Sequence, residues 1–115
     1  MSSFDIDHTA RLAEKSLAGL WAKQQTITDN IANVSTPGYK SRRLSFDAYL
    51  ENALADDANP ADFVRRSGAT SMRADGNNVD LERELVALSE NSLRYRSVMG
   101  QLQRKLDTLA AVVRE

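Results

Sequence analysis

Few side chains in this chain of 115 residues could carry out chemistry. The absence of cysteine excludes a disulfide framework and a thiolate metal site, and the single histidine, His8, argues against a histidine metal cluster or a catalytic triad. Carboxylates are plentiful, but they fall in polar segments or helix starts, where nothing would raise a pKa for acid-base work. No glycine-rich phosphate loop is present. The sequence therefore predicts no catalytic, cofactor-binding or metal site, and no enzyme.

The charge balance narrows the range of partners. Lysine and arginine number 15 and aspartate and glutamate number 16, giving a net charge of −1. This argues against nucleic-acid binding, which needs a basic face. We interpret the pairs Arg42-Arg43 and Arg65-Arg66 as solvated loop charges, with contact to acidic neighbours in an assembly as the alternative. No run approaches the roughly 18 apolar residues of a membrane-spanning helix, so no direct membrane span is predicted.

The first element that could position side chains is an N-terminal helix from about Thr9 to Val34. Its apolar residues recur in steps of 3 and 4 when Gln24 is counted in the series, which places them on one helical face. Gly19 costs this helix only about 1 kcal/mol. The apolar stripe includes Leu17, Leu20, Ile27 and Ile31.

A second helix is predicted from about Asn78 to Arg114, with Asn78 or Asp80 as its cap. Its apolar steps alternate between 4 and 3 throughout, and Ser92 is the one polar residue in the series. At ~1.5 Å per residue it would be about 50 Å long, too long to be covered by the core of a small domain. Its stripe includes Leu81, Leu85, Leu88, Tyr95, Met99, Leu102, Leu106 and Leu109.

These patterns predict an all-α fold in which two long terminal helices pair as an αα-hairpin or coiled coil. The predicted division is residues 1–34, a connecting segment at 35–77, and residues 78–115. The connecting segment is polar and rich in turns, so we expect a long, largely irregular loop that is partly disordered in the free monomer. Two helices shield only part of both stripes. The remainder must contact further copies, a partner or, least favoured by its mixed charge, a membrane surface.

Two strings of residues resemble a known family. The string from Asp29 to Lys40 is similar to the N-terminal signature of flagellar rod, hook and hook-associated axial proteins, through Asn30, Asn33, Thr36, Pro37, Gly38 and Tyr39. The string that leads into the second helix resembles the proximal rod proteins of the flagellar basal body. Its residues are Asp75, Gly76, Asn77, Asn78, Val79 and Asp80. The resemblance is weakest between about Leu54 and Met72.

The resemblance implies a structural subunit of the proximal rod, whose terminal helices pack into a tubular drive shaft needed for flagellum assembly and motility. The two stripes would then form an assembly seam. Implied partners are further copies, other rod proteins, membrane-ring and basal-body adaptor proteins, and the export gate. The implied location is the periplasm-spanning rod, reached through the flagellar type III system without a cleavable signal peptide.

Phe46 and Leu50 resemble the short export-gate motif of rod and hook substrates. Because they lie four residues apart, they could instead dock one helical face on the subunit itself. A second function stays open as well. The same stripes could serve a cytoplasmic helical adaptor or export chaperone that binds partner helices.

Overall fold

The computed structural model describes residues 3–68 and 72–114. Two long helices at the two ends dominate the fold, which confirms the all-α prediction. The molecule is elongated, with dimensions of 65 × 26 × 15 Å. No helix in the described ranges is long and apolar enough to cross a membrane. The elements are α1 (Ser3–Ala32), β1 (Arg42–Leu44), α2 (Phe46–Ala55), a short 3-10 helix (Pro60–Phe63), β2 (Val64–Arg66) and α3 (Leu81–Arg114).

The long helices α1 and α3 pair as an antiparallel hairpin. The rings of Trp21 and Tyr95 lie 6.3 Å apart across the pair. α1 begins six residues before the predicted start at Thr9, and α3 begins three residues after Asn78. Asp80 caps α3, because its Oδ1 accepts a hydrogen bond of 3.2 Å from the N–H of Arg83.

The core forms where α2 packs on α1. Tyr49 is only 1% exposed, and its hydroxyl donates to the carbonyl of Lys15 at 3.0 Å. The Tyr49 ring also lies 6.4 Å from that of Phe46 and 6.0 Å, edge-on, from that of Phe63. Gly19 makes this approach possible, since a Cβ there would lie 2.5 Å from the Tyr49 ring. The glycine in α1 thus provides a docking site for α2.

The connecting segment contains more regular structure than its composition indicates. β1 and β2 form an antiparallel ribbon in which Leu44 faces Val64, and Leu44 is buried. Strands of three residues are too short to give an alternating pattern in the sequence. Their pairing depends instead on contacts with α1 and with residues far along the chain.

Candidate assembly surface and signature junction

The two signature strings meet at one place, which we call the signature junction (residues 30–41 and 73–80). The N–H of Gly38 donates to the carbonyl of Asp75 at 2.8 Å, and the N–H of Asn78 donates to the carbonyl of Tyr39 at 3.3 Å. Gly38 and Gly76 both have positive φ angles, +76° and +82°, which favour glycine. A Cβ on Gly76 would also lie 3.5 Å from the Gly38 Cα. The backbone conformation of the signature junction therefore favours glycine at both positions.

Asn77 holds the turn that follows α1. It is fully buried, and its amide donates to the carbonyls of Asn33 (2.9 Å), Val34 (3.2 Å) and Thr36 (2.8 Å). Its Oδ1 accepts from the N–H of Val79 at 2.7 Å. These three carbonyls lie in the turn that follows α1, which ends at Ala32. Asn77 therefore fixes this turn from a position more than 40 residues along the chain.

Asn30 joins the last turns of α1 to β1. Its amide donates to the carbonyl of Arg42 at 2.8 Å, and its Oδ1 accepts from the Arg42 N–H at 2.9 Å. The same Oδ1 accepts from the Tyr39 hydroxyl at 3.1 Å. Burial raises the pKa of Tyr39 above its ordinary value, which favours the neutral phenol that donates this bond.

Asn78 joins the ends of the two strands. Its Oδ1 accepts from the Ser41 N–H at 2.6 Å, and its amide donates to the Ser67 carbonyl at 2.9 Å. Arg73, which the sequence interpretation did not single out, donates to the carbonyl of Val79 at 3.1 Å and to that of Val34. These bonds tie the ribbon to the start of α3.

The remaining signature residues lie at the rim or in the core of the junction. Asn33 donates to the carbonyl of Asp29 at 2.8 Å and accepts from the Thr36 hydroxyl at 3.0 Å. Pro37 is exposed, whereas Val79 is buried. The structure thus brings both predicted strings into one cluster of hydrogen bonds.

The residues of the predicted assembly seam separate into three groups. Leu20 and Ile27 are 0% and 5% exposed and belong to the core of the subunit. Half-buried members are Leu17, Ile31, Leu88, Tyr95 and Leu102. The members that are 37–49% exposed all lie on α3, namely Leu81, Leu85, Met99, Leu106 and Leu109. α3 therefore carries the open part of the stripe.

Further exposed apolar side chains lie outside the predicted seam. Trp21 on α1 is one of them. On α3, Val86 and Leu93 are also exposed, and they lie seven residues apart, so they share one side of the helix. At 100° per residue, Val86 and Leu93 lie on a different face of the helix from Leu85 and Met99. Their spacing of seven could have revealed them in the sequence. Val112 and Val113 extend the exposure to the end of α3.

A groove of about 740 Å³ opens between the first half of α1 and the last half of α3. Its walls are mainly apolar and are formed by residues that include Ala10, Leu12, Ala13, Val98, Leu102, Leu109 and Val112. The hairpin thus leaves apolar surface uncovered at its open end as well as along α3.

A polar cluster interrupts the apolar contact between the long helices. The Asn91 amide donates to the Leu20 carbonyl and to Gln24 Oε1, both at 2.9 Å. Gln24 in turn donates to Ser92 at 3.1 Å. Ser92, the polar break in the predicted stripe, is therefore paired across the hairpin. The Asn91 Oδ1 is buried without a partner.

The candidate export-gate residues lie at the packing face of α2. Phe46 is half-buried beside Gly19, and Leu50 is half-buried one turn later. No group of three metal-ligating side chains occurs within residues 3–68 and 72–114.

Comparisons with known proteins agree with this geometry. The family model described as "Flagella basal body rod protein" matches residues 13–40, which end within the signature junction. The flagellar basal body rod protein FlgB of Bacillus subtilis (strain 168) is 32% identical, covering 91% of this chain and 92% of its own. FlgB of Borreliella burgdorferi is 29% identical, covering 79% and 84%, and FlgB of Yersinia enterocolitica is 25% identical, covering 96% of both chains.

Fold, junction and matches together define a structural subunit of the flagellar basal body rod. Within that class, the chain belongs to the FlgB family. The predicted resemblance to proximal rod proteins is thereby confirmed. Membership decides against the alternative of a cytoplasmic adaptor or export chaperone, and it places the chain in the basal body, assembled with other rod and basal-body proteins.

Proposed function

We propose that this chain polymerises through its terminal helices, with the exposed face of α3 packing on the helices of neighbouring copies. The observation that supports this is the row of large apolar residues along α3, from Leu81 to Leu109, that the hairpin leaves 37–49% exposed. Exposed apolar patches of this kind mark sites of association. Burial contributes roughly 25 cal/mol per Å² of apolar surface, so each neighbour that covers the row stabilises the rod.

The position of the chain in the basal body rod also suggests which other proteins it contacts. We infer that subunits at the ends of the proximal rod contact the membrane-ring and basal-body adaptor proteins and the next rod protein. We also infer that the chain reaches the rod through the flagellar type III export gate, with Phe46 and Leu50 as the recognised pair. Their half-burial on α2 requires that the gate binds them before the segment folds. The role proposed throughout is structural and not enzymatic.

The test is to place a charge in the exposed row. Leu85→Asp and Leu106→Asp should each block incorporation into detergent-extracted basal bodies and abolish swimming, because a buried leucine contributes ~1.5–3 kcal/mol and a buried aspartate costs more. Helical circular dichroism and solubility should be unchanged, since both side chains are exposed in the subunit. Ser97→Asp introduces the same residue at an exposed polar position of α3 and serves as the control. Incorporation of both leucine variants at the control level would refute the proposal.

A further inference from the structure

The two short strands carry an unusual concentration of positive charge. Their register places Arg42 opposite Arg66 and Arg43 opposite Arg65, and all four side chains are exposed. We call these four residues the arginine ribbon. Because side chains alternate along a strand, Arg43 and Arg65 share one face of the ribbon, and Arg42 and Arg66 share the other face, on the side of Leu44. The sequence shows two separate Arg-Arg pairs more than 20 residues apart, and only the fold brings them together.

This arrangement has a cost within the subunit. Like charges directly opposite each other in a sheet are destabilising. The Ser67 N–H donates to the Ser41 carbonyl at 2.7 Å, so the adjacent Arg42–Arg66 pair is a non-hydrogen-bonded pair, with Cα atoms only ~4.5 Å apart. In the described part of the chain the ion pairs are Lys15–Asp57 and Arg73–Asp75, and neither includes the ribbon. Within the described residues, therefore, no carboxylate forms an ion pair with these four arginines.

The chemistry of the ribbon indicates the type of ligand. A guanidinium group binds a carboxylate or phosphate with two parallel hydrogen bonds, and its charge persists at every physiological pH. Arg65 uses one nitrogen for the carbonyls of Asp62 and Val64, at 2.8 and 3.1 Å, which fixes the side chain and leaves its other donors available. The ribbon is thus suited to an anionic partner with closely spaced acidic groups.

The same chain presents such a group on α2. Asp47 and Glu51 are exposed, and Asp56 follows the end of the helix. Residues four apart on a helix have Cβ atoms about 5–6 Å apart, which is close to the ~5 Å between opposite residues of a two-stranded ribbon. Segment 35–77 has six cationic and six anionic residues, so it is neutral overall. The fold separates these charges into a basic ribbon and an acidic helix face.

We propose that the Arg43–Arg65 face of the arginine ribbon on one subunit binds the acidic face of α2 on a second copy of this chain. The inference rests on the proposed polymerisation and adds to it a polar contact between connecting segments, outside the packed helices. The surfaces are different on the two partners, so the contact is heterologous and can repeat along an open helical assembly. The net charge of −1 gives the whole chain no long-range attraction to a polyanion, which favours a local, geometry-matched acidic partner.

Charge reversal tests this pairing. A ribbon variant, Arg43→Glu with Arg65→Glu, and a helix variant, Asp47→Lys with Glu51→Lys, should each reduce incorporation into basal bodies about tenfold. The combination of all four substitutions should restore incorporation to within about twofold of the natural chain, because the two surfaces are again opposite in charge. The ribbon variant keeps a like-charge pair across the strands but loses the Arg65 bonds to the carbonyls of Asp62 and Val64, so its fold is checked by urea unfolding alongside the assembly assay. Arg43→Gln with Arg65→Gln gives a milder version for the same measurement.

Two controls separate this proposal from simpler explanations. Arg94→Glu with Arg114→Glu makes the same change in net charge on exposed residues of α3 and should leave incorporation unchanged. Since the chain has no cysteine, a chain with only Arg65→Cys and Glu51→Cys should form a ladder of disulfide-linked multimers in isolated basal bodies.

The outcomes are distinct. Failure of the four-substitution chain to recover, with both two-substitution chains impaired, would assign the ribbon to another acidic protein and overturn the proposal. Binding to phosphatidylglycerol vesicles that the ribbon variant loses and the combined variant does not regain would assign it to lipid, with the same consequence. Unchanged incorporation of either two-substitution chain also overturns it. Polymerisation through α3 is judged separately by Leu85→Asp and Leu106→Asp.

Discussion

Replacing Gly19 by alanine should weaken the fold, although alanine is the better helix former. A Cβ at this position would lie 2.5 and 2.7 Å from two carbons of the Tyr49 ring and 2.9 Å from the Phe46 ring. Tyr49 is only 1% exposed, and its hydroxyl is held by the Lys15 carbonyl, so the ring cannot swing aside. Overpacking costs ~1–3 kcal/mol, and a contact this short belongs at the upper end. Alanine returns ~1 kcal/mol of helix propensity, which leaves a net loss of about 2 kcal/mol.

Gly100 supplies the matched control. It lies within α3, and a Cβ there would meet only the Arg104 Nη1, at an ordinary 3.7 Å. Gly100→Ala should therefore stabilise the chain by up to ~1 kcal/mol through helix propensity alone. The two identical substitutions should have opposite signs.

Urea unfolding followed by circular dichroism measures both effects. With a slope of ~1–2 kcal/mol per M urea, Gly19→Ala should lower the midpoint by about 1–2 M, whereas Gly100→Ala should raise it. In a Tyr49→Leu background the Gly19→Ala loss should shrink, since the closer of the two clashing rings is absent. A Gly19→Ala chain as stable as the natural one, or a loss of equal size in the Tyr49→Leu background, would refute the reasoning.

Two further predictions concern buried polar groups. Asn77→Ala should cost about 1–3 kcal/mol in urea unfolding, because it leaves the buried Val79 N–H without its partner and removes the bonds that hold the turn after α1; a loss no larger than that of the exposed Asn59→Ala would contradict this. Burial raises the pKa of the Tyr49 phenol, so its contribution to stability is complete below pH about 10 and is lost as the pH rises through the folded-state pKa. Tyr49→Phe should reduce this alkaline decline in stability, and an identical decline would exclude Tyr49 as its source.

The helices and the family could be predicted because their signals are local. The steps of 3 and 4 among the leucines of α3 require only neighbouring residues, and so do the two signature strings. The same periodicity shows which face of a helix is apolar but not what covers it. For that reason it could not distinguish Leu20, which the subunit buries, from Leu85, which the subunit leaves exposed.

The remaining features depend on contacts distant in the sequence. From the sequence alone, Gly19 is expected only to lower the stability of α1. The fold shows that it allows the Tyr49 ring to pack against the helix. The sequence predicts that the four arginines are loop charges, because their pairing across the strands depends on residues outside the strands. Examples are the bonds from Asn78 to Ser41 and Ser67. Asn77 belongs to a recognisable string, but its partners in the turn after α1 are visible only in the fold.

The signature junction also has a mechanical consequence. A drive shaft is only as stiff as its most compliant coupling, and a long polar loop without fixed contacts would deform before it passed torque to the helices beside it. Here Asn30, Asn77 and Asn78 fix that segment to α1, to both strands and to the lead-in of α3 through short, buried bonds to the backbone. We expect that a force applied to the connecting segment of a subunit passes through these amides to its helices. The segment and the helices should then rotate together.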